Sequence, residues 1–103
     1  MAKDLNVVLL LDYYGGLLPE KQRRLIEYYY CDDLSLAEIS DAEGITRQGA
    51  RDAIVRAVAK MKQFEETVGF VKKATTVRDA LDKYAVSKSD EDFDRLCEAV
   101  NNM

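Results

Sequence analysis

The sequence contains no histidine and no tryptophan, and its two cysteines, Cys31 and Cys97, lie far apart. Without histidine the chain lacks the commonest general base and the commonest protein ligand for metal ions. Two isolated cysteines suggest neither a disulfide framework nor a zinc site, so we predict that both are reduced and buried or partly buried. The sequence also has no glycine-rich phosphate-binding loop. These absences predict a protein that is not an enzyme and binds no metal or cofactor.

Proline and glycine are scarce, with one proline and five glycines among 103 residues, which favours helices. No apolar run approaches the roughly 20 residues that cross a bilayer, since the longest, Val7 to Leu11, is followed by Asp12. The N-terminus lacks the basic segment and cleavage site of a secretory signal. The sequence therefore predicts an all-α, cytoplasmic protein that does not bind membranes.

Charge is unevenly distributed along the chain. The formal net charge is -4, yet residues 46–63 carry five basic side chains and a single acidic one. A local basic stripe can bind phosphate on an acidic protein, although the overall field does not assist the approach of a nucleic acid. The acidic remainder equally suits a protein that binds another protein.

The first predicted helix, residues 3–14, is apolar on nearly all sides. Such a helix must be covered on more than one side, so we predict a homodimer with this helix in the subunit interface. Two glycines end the helix. A second helix is predicted to begin at Pro19, which suits a first helical position, and to end at Asp33.

A helix-turn-helix is predicted between Leu34 and about Met61. Ser35 and Glu38 form a capping box at the start of a short helix. Gly44 allows the turn, and Thr46 caps a long helix that ends near Val68. Leu34 and Ile39 are placed to form a hydrophobic staple. Apolar contacts between the helices are assigned to Ile39, Ile45, Ala50 and Ile54.

The C-terminal third is predicted to form two further helices. The first begins at Thr76 and ends near Ala85, and the second spans residues 90–100. We divide the chain into a helix-turn-helix domain, residues 1–71, and a helical extension, residues 72–103, packed on the same domain. The inward side of the last helix is assigned to Phe93, Leu96, Cys97 and Val100.

The second helix of a helix-turn-helix carries the side chains that reach base edges in the major groove. Arginine can pair with guanine and glutamine with adenine. The predicted reading face consists of Thr46, Arg47, Gln48, Arg51 and Asp52. Contacts to backbone phosphates are predicted for Lys21, Gln22, Arg24, Arg56 and Lys60.

Three residues weaken the prediction of a reading face. Gly49 lowers helix propensity by about 1 kcal/mol relative to alanine, Ala50 is small for a buried position, and Asp52 would repel phosphate unless it accepts a bond from cytosine. The alternative is a helix-turn-helix whose charged face is only solvated. Tyrosines 13–14 and 28–30 could stack on unpaired bases, but such side chains more often pack in a core.

The order of four motifs resembles the YlxM family of small bacterial proteins over about residues 5–71. The motifs are LLDYYG, EKQR, YYCDDLSLAEI and RQG. The resemblance implies a fold similar to the fourth-region domain of sigma-70-type transcription factors, with Leu36, Ile39, Gly44, Ile45 and Ile54 at structural positions. This sequence departs from the family at Pro19, where threonine is expected, and at Ala50, where a larger aliphatic residue is expected.

Genes of this family commonly adjoin those of the signal recognition particle GTPase or its receptor, which implies an accessory or regulatory role in that pathway. The leading hypothesis is therefore a nucleic-acid-binding protein of that pathway, with DNA or RNA as its ligand. The alternative is a protein–protein adaptor that contacts the particle GTPase, its receptor or RNA polymerase without binding nucleic acid.

Overall fold

A computed structural model describes the chain from Asp4 to Met103, apart from the side chain of Leu5. Within this range every regular element is helical, which confirms the all-α prediction. Residue 3, the predicted start of the first helix, lies outside the described residues. The elements are α1 (Leu5–Tyr14), a short 3-10 turn (Gly15–Leu17), α2 (Glu20–Tyr30), α3 (Leu36–Glu43), α4 (Arg47–Val68), α5 (Phe70–Ser87) and α6 (Asp90–Asn101). No helix in the described range is long and apolar enough to span a membrane.

The chain divides after Thr67 into two compact units. The first unit contains α1 to α4 and all of the fully buried apolar side chains found among the described residues. Its core takes side chains from each of these four helices and from Leu18, which precedes α2. The core residues are Val7, Leu10, Leu11, Tyr14, Leu18, Leu25, Ile26, Tyr29, Ile39, Ala50, Ile54, Ala57 and Met61. Burial of Tyr14 and Tyr29 supports the interpretation of these two tyrosines as core residues.

Much of the apolar surface of α1 is covered by the chain itself. Val7, Leu10 and Leu11 are at most 7% exposed, whereas Leu9 is 45% and Tyr13 42% exposed. The Tyr14 hydroxyl donates to a Glu65 carboxylate oxygen at 2.5 Å. The apolar side chains of α1 are therefore largely buried within the chain. The homodimer interface through residues 3–14 was predicted from the need to bury them, and it stays a prediction.

The helix-turn-helix forms as its local signals predict. Ser35 accepts a hydrogen bond from the Glu38 amide while the Glu38 carboxylate accepts one from the Ser35 amide, both at 3.1 Å. Gly44 ends α3 with a φ of 67°, a left-handed conformation that favours glycine. The Thr46 hydroxyl accepts from the Gly49 amide at 2.9 Å and so caps α4.

The second unit is a helical hairpin of α5 and α6, hereafter the C-terminal hairpin. Helix α5 begins at Phe70, after Gly69 with a φ of 65°, and not at Thr76 as predicted. The Thr76 hydroxyl instead donates to the carbonyl of Lys72, as threonine does inside a helix. Packing of residues 72–103 on the first unit stays a prediction.

The predicted inward face of α6 is confirmed only in part. Leu96 is half-buried, and the Phe93 ring, although 47% exposed, lies 5.4 Å from the Tyr84 ring of α5. The prediction is wrong for Val100, which is 50% exposed, and for Cys97, which is exposed as well. No side chain of α5 or α6 is fully buried. Cys31 is also exposed, so the prediction of buried or partly buried cysteines is wrong for both. An amphipathic pattern identified the apolar stripe of α6, but two helices alone do not cover it.

Candidate nucleic-acid interface

The predicted reading face lies on the first two turns of α4. The α4 backbone is fixed here by the Thr46 cap and by burial of Ala50 and Ile54 beneath it, both 0% exposed. Ala50 therefore fills the position assigned to the buried contact despite its small size. On the outer side, Thr46, Arg47, Gln48 and Arg51 are exposed, and Asp52 is half-buried.

Asp52 organises its neighbours on this face. Its Oδ1 atom accepts a hydrogen bond from Gln48 Nε2 at 2.9 Å and lies 3.7 Å from Arg51 Nη1. The carboxylate charge is thereby partly offset by Arg51, and the Gln48 amide is held one helical turn away. Asp52 thus contacts two candidate base-reading side chains. The neighbouring positive charge of Arg51 reduces the repulsion expected between the Asp52 carboxylate and phosphate.

Arg47 differs from the other side chains of the reading face. Among the residues that the structure describes, it has neither a hydrogen bond nor an ion pair, and it is exposed. An arginine presents five N–H donors in a planar fork that matches guanine edges and phosphate oxygens. Arg47 is therefore available to an external acceptor without the loss of an internal contact.

A groove of about 320 Å³ lies between α2 and α4, beside the reading face. Its lining includes two basic residues, Lys21 of α2 and Arg56 of α4, and Gly49 of α4. The lining residues are Lys21, Gln22, Leu25, Ile45, Gly49, Ala53 and Arg56. The structure thus brings together three of the five residues predicted to contact phosphate. Lys60, farther along α4, is exposed and does not line this α2–α4 groove.

Two features of the α2–α4 groove are not evident from the sequence. The side-chain oxygen of Gln22 is buried without a hydrogen-bond partner among the described residues, a state that costs free energy until a donor arrives. A Cβ atom on Gly49 would lie 3.0 Å from the Thr46 hydroxyl oxygen. From the sequence alone, Gly49 only lowers the helix propensity of α4. In the structure, its lack of a side chain leaves room for the Thr46 cap and for the adjoining groove.

Arg24 is not part of this groove. Its guanidinium donates from Nε to Glu43 Oε1 at 2.5 Å and from Nη2 to Glu43 Oε2 at 3.1 Å. This two-bond ion pair joins α2 to the end of α3, with the Glu43 side chain only 13% exposed. A contact between Arg24 and phosphate would require this ion pair to open.

The ion pair predicts a pH-dependent contribution to stability. The hydrogen bond from Arg24 lowers the pKa of Glu43 below its ordinary value of 4.5. A carboxylate with a lowered folded-state pKa stabilises the fold above its ordinary pKa, and this stabilisation is lost as the pH falls through the folded-state value. We expect Glu43→Gln to lower the free energy of unfolding at pH 7, with a difference from the parent protein that shrinks below pH 4.5.

Urea unfolding followed by circular dichroism, repeated from neutral to acidic pH, measures this difference. Asp41→Asn is the matched control, because Asp41 is an exposed carboxylate on the same helix without a partner in the described chain. A Glu43→Gln difference that stays constant down to acidic pH would contradict the assigned role of the ion pair.

The remaining candidate chemistry is sparse. Among the described residues no cluster of histidine, cysteine or acidic side chains could hold a metal ion. Loss of solvent around the sulfur and the nearby carboxylates of Glu27 and Asp32 raise the pKa of the Cys31 thiol. A thiol with a raised pKa is a poor nucleophile at neutral pH.

Comparison with known proteins assigns the amino-acid sequence to a family. Residues 1–100 match the family described as "Putative helix-turn-helix protein, YlxM / p13 like". A UPF0122 protein of Thermoanaerobacter sp. (strain X514) is 46% identical over 79 residues, covering 77% of this chain and 68% of that protein. The UPF0122 protein YlxM of Bacillus subtilis (strain 168) is 32% identical over 107 residues, covering 100% of this chain and 97% of that protein. The chain therefore belongs to the YlxM / p13-like family of helix-turn-helix proteins.

Proposed function

We propose that this protein is a non-catalytic, cytoplasmic nucleic-acid-binding protein that reads base edges with the first two turns of α4. The observation that carries the proposal is Arg47, which is exposed and has no partner among the residues that the structure describes, beside a cluster of Gln48, Asp52 and Arg51 at the start of the helix. A helix N-terminus so equipped has the position and the donors that major-groove recognition requires.

The α2–α4 groove supplies the backbone contact in this proposal. Lys21 and Arg56 flank it, and each can neutralise one phosphate without breaking an ion pair among the described residues. Gln22 lines the same groove, and its contact with phosphate would be a hydrogen bond donated by the side-chain Nε2, because the buried Oε1 is an acceptor. Lys60 contributes a further cation on the same helix. Arg24 is left out, because Glu43 occupies it.

Helix geometry favours duplex DNA as the ligand. The major groove of B-form DNA admits an α-helix, whereas the major groove of A-form RNA is too deep and narrow for side chains to read. The family resemblance extends the proposal to an accessory or regulatory role in the signal recognition particle pathway, where particle RNA is the competing ligand. If particle RNA is the ligand, the target would be unpaired or distorted segments of that RNA.

An electrophoretic shift series against random duplex DNA and against particle RNA tests both ligands. With Lys21, Arg56 and Lys60 on phosphates, the logarithm of the binding constant should fall with the logarithm of salt concentration at a slope of about -3. The variant Lys21→Gln/Arg56→Gln should reduce that slope by about 2, because each phosphate contact contributes about 1. A binding constant that does not depend on salt concentration, or no binding to either ligand at low salt, would overturn the proposal.

A second function is favoured by the acidic character of the chain, whose sequence pI is about 4.8. In that alternative the protein is an adaptor that uses its sigma-like fold to contact the particle GTPase, its receptor or RNA polymerase. Pull-downs from lysate with and without nuclease separate the two functions. The partners of an adaptor survive nuclease treatment, whereas those bridged by nucleic acid are lost.

A further inference from the structure

Val55 is an exposed aliphatic side chain on the outward side of α4, next to the reading face. Because an α-helix has about 3.6 residues per turn, the side of α4 opposite the buried Ile54 and Met61 consists of positions three or four residues apart. These positions are Gln48, Asp52, Val55 and Ala59. Gln48 and Asp52 belong to the predicted reading face, so Val55 continues that face by about one helical turn.

Val55 does not belong to the core of the first unit. Its side chain is 41% exposed, whereas that of the preceding residue, Ile54, is 0% exposed, and Val58 is half-buried. Valine is also a poorer helix former than alanine, lysine or glutamate, which suit exposed helix positions better. Neither packing in the core nor helix propensity therefore explains an aliphatic side chain at this position.

The polar neighbours of Val55 are occupied with one another. Arg51 Nη1 lies 3.7 Å from Asp52 Oδ1, and the same oxygen accepts a hydrogen bond from Gln48, one turn nearer the start of the helix. On the other side, the exposed Ala59 ends at its Cβ atom and is too short to reach over Val55. The Val55 methyl groups therefore form a small apolar surface bordered by the polar reading face.

The base edges in the major groove of DNA offer one kind of apolar partner for such a surface. Guanine, adenine and cytosine present hydrogen-bond acceptors and donors there, whereas thymine presents a C5-methyl group beside its acceptor. An aliphatic side chain forms no hydrogen bond, so it gains most where contact removes another apolar group from water. Against a polar base edge it would instead leave a donor or acceptor without a partner. The chemistry of Val55 therefore favours thymine.

We infer that Val55 is a specificity-determining residue that contacts the 5-methyl group of a thymine in the major groove. The inference rests on the proposed function, because it requires α4 to lie in the major groove of duplex DNA. Val55 is one helical turn beyond Arg51, which corresponds to about 6 Å along the helix axis, or about two base-pair steps of about 3.4 Å. We therefore expect the thymine about two base pairs from the base that Arg51 contacts.

The test removes methyl groups from the DNA and from the protein separately. The full-length protein first selects a duplex from a library of random sequence, and each thymine of that duplex is then replaced in turn by deoxyuridine, which lacks only the 5-methyl group. At one position the parent protein should bind about four-fold more weakly, the factor that corresponds to the burial of one methyl group. Val55→Ala should bind the thymine duplex at least about four-fold more weakly than the parent does, and should no longer distinguish thymine from deoxyuridine at that position.

Val68→Ala is the matched control, because Val68 is 51% exposed and lies at the far end of the same helix. This variant should keep the preference for thymine over deoxyuridine. Duplex binding by the parent protein that does not depend on any thymine methyl group, or a dependence that persists in Val55→Ala, would overturn the inference and leave the proposed function standing. The first of these measurements uses only the parent protein, so it does not depend on a variant folding. An absence of duplex binding would also overturn the inference, and the proposed function with it if particle RNA is not bound either.

Discussion

Replacing both Arg47 and Arg51 by glutamate should lower the affinity for nucleic acid by at least about 100-fold, because each well-placed arginine contact to a base is worth about 1–3 kcal/mol. Each substitution removes a donor and adds a charge that repels phosphate. Arg47 has no internal partner in the described chain, and Arg51 is 3.7 Å from Asp52 on the solvent side. The fold should therefore be unaffected, and circular dichroism can verify this before binding is measured by fluorescence anisotropy.

The matched control reverses two charges elsewhere. Lys62→Glu/Lys83→Glu changes the net charge equally at two exposed positions outside the reading face and the α2–α4 groove. Its affinity should fall only slightly, through the overall field. Arg47→Lys/Arg51→Lys should keep most of the salt-dependent binding but lose discrimination between base sequences, because lysine cannot form the two-bond contact. Equal losses in the reading-face and control variants would show that binding depends on net charge alone.

Ile54→Ala should destabilise the first unit by about 2–5 kcal/mol, the range observed when a fully buried aliphatic side chain is truncated. Ile54 is 0% exposed and lies on the buried side of α4, beneath the reading face. Because the stability of a small domain is about 5–15 kcal/mol in total, a large fraction would be lost. Urea unfolding measured by far-ultraviolet circular dichroism gives the difference directly.

Val55 provides the comparison for this variant. It is the next residue of α4 and is 41% exposed, so Val55→Ala should change the free energy of unfolding by less than about 0.5 kcal/mol. Helix propensity changes in the same direction in both variants, since each replaces a β-branched residue by alanine. A loss in Ile54→Ala no larger than that in Val55→Ala would contradict the assignment of Ile54 to the core.

The sequence predicted the helix-turn-helix well because its signals are local. Ser35 and Glu38 are three residues apart, Gly44 determines the turn by its own backbone, and Thr46 bonds the amide of Gly49. Each of these features depends on the few residues around it and needs no knowledge of the tertiary structure. The beginning and end of α3 and the extent of α4 could therefore be derived from sequence alone.

Contacts between distant residues could not be derived in this way. Nothing in the sequence around Arg24 indicates that it forms an ion pair with Glu43 on another helix, and its predicted contact with phosphate stays a prediction. The hydrogen bond between Tyr14 and Glu65 joins residues 51 positions apart, and it helps to explain why α1 is covered within the chain. The α2–α4 groove likewise exists only when two helices pack.

The error at α6 has a different physical cause. Its pattern of Phe93, Leu96, Cys97 and Val100 correctly indicates an apolar stripe, but a stripe does not specify what covers it. Within the described chain, α5 covers one part and leaves Phe93 and Val100 about half exposed. Periodicity therefore identified the apolar stripe of α6, but not how much of it the neighbouring helix covers.

Asp52 has one further consequence for the proposed recognition of DNA. Mismatch penalties at well-separated base pairs are roughly additive, but residues that share one partner are energetically coupled. Gln48 and Arg51 share the same carboxylate oxygen of Asp52, so a rearrangement of one side chain to suit a new base changes the restraint on the other. Preferences at the two corresponding base pairs would then be interdependent, and a binding-site matrix that scores each position separately would misrank the targets of this protein.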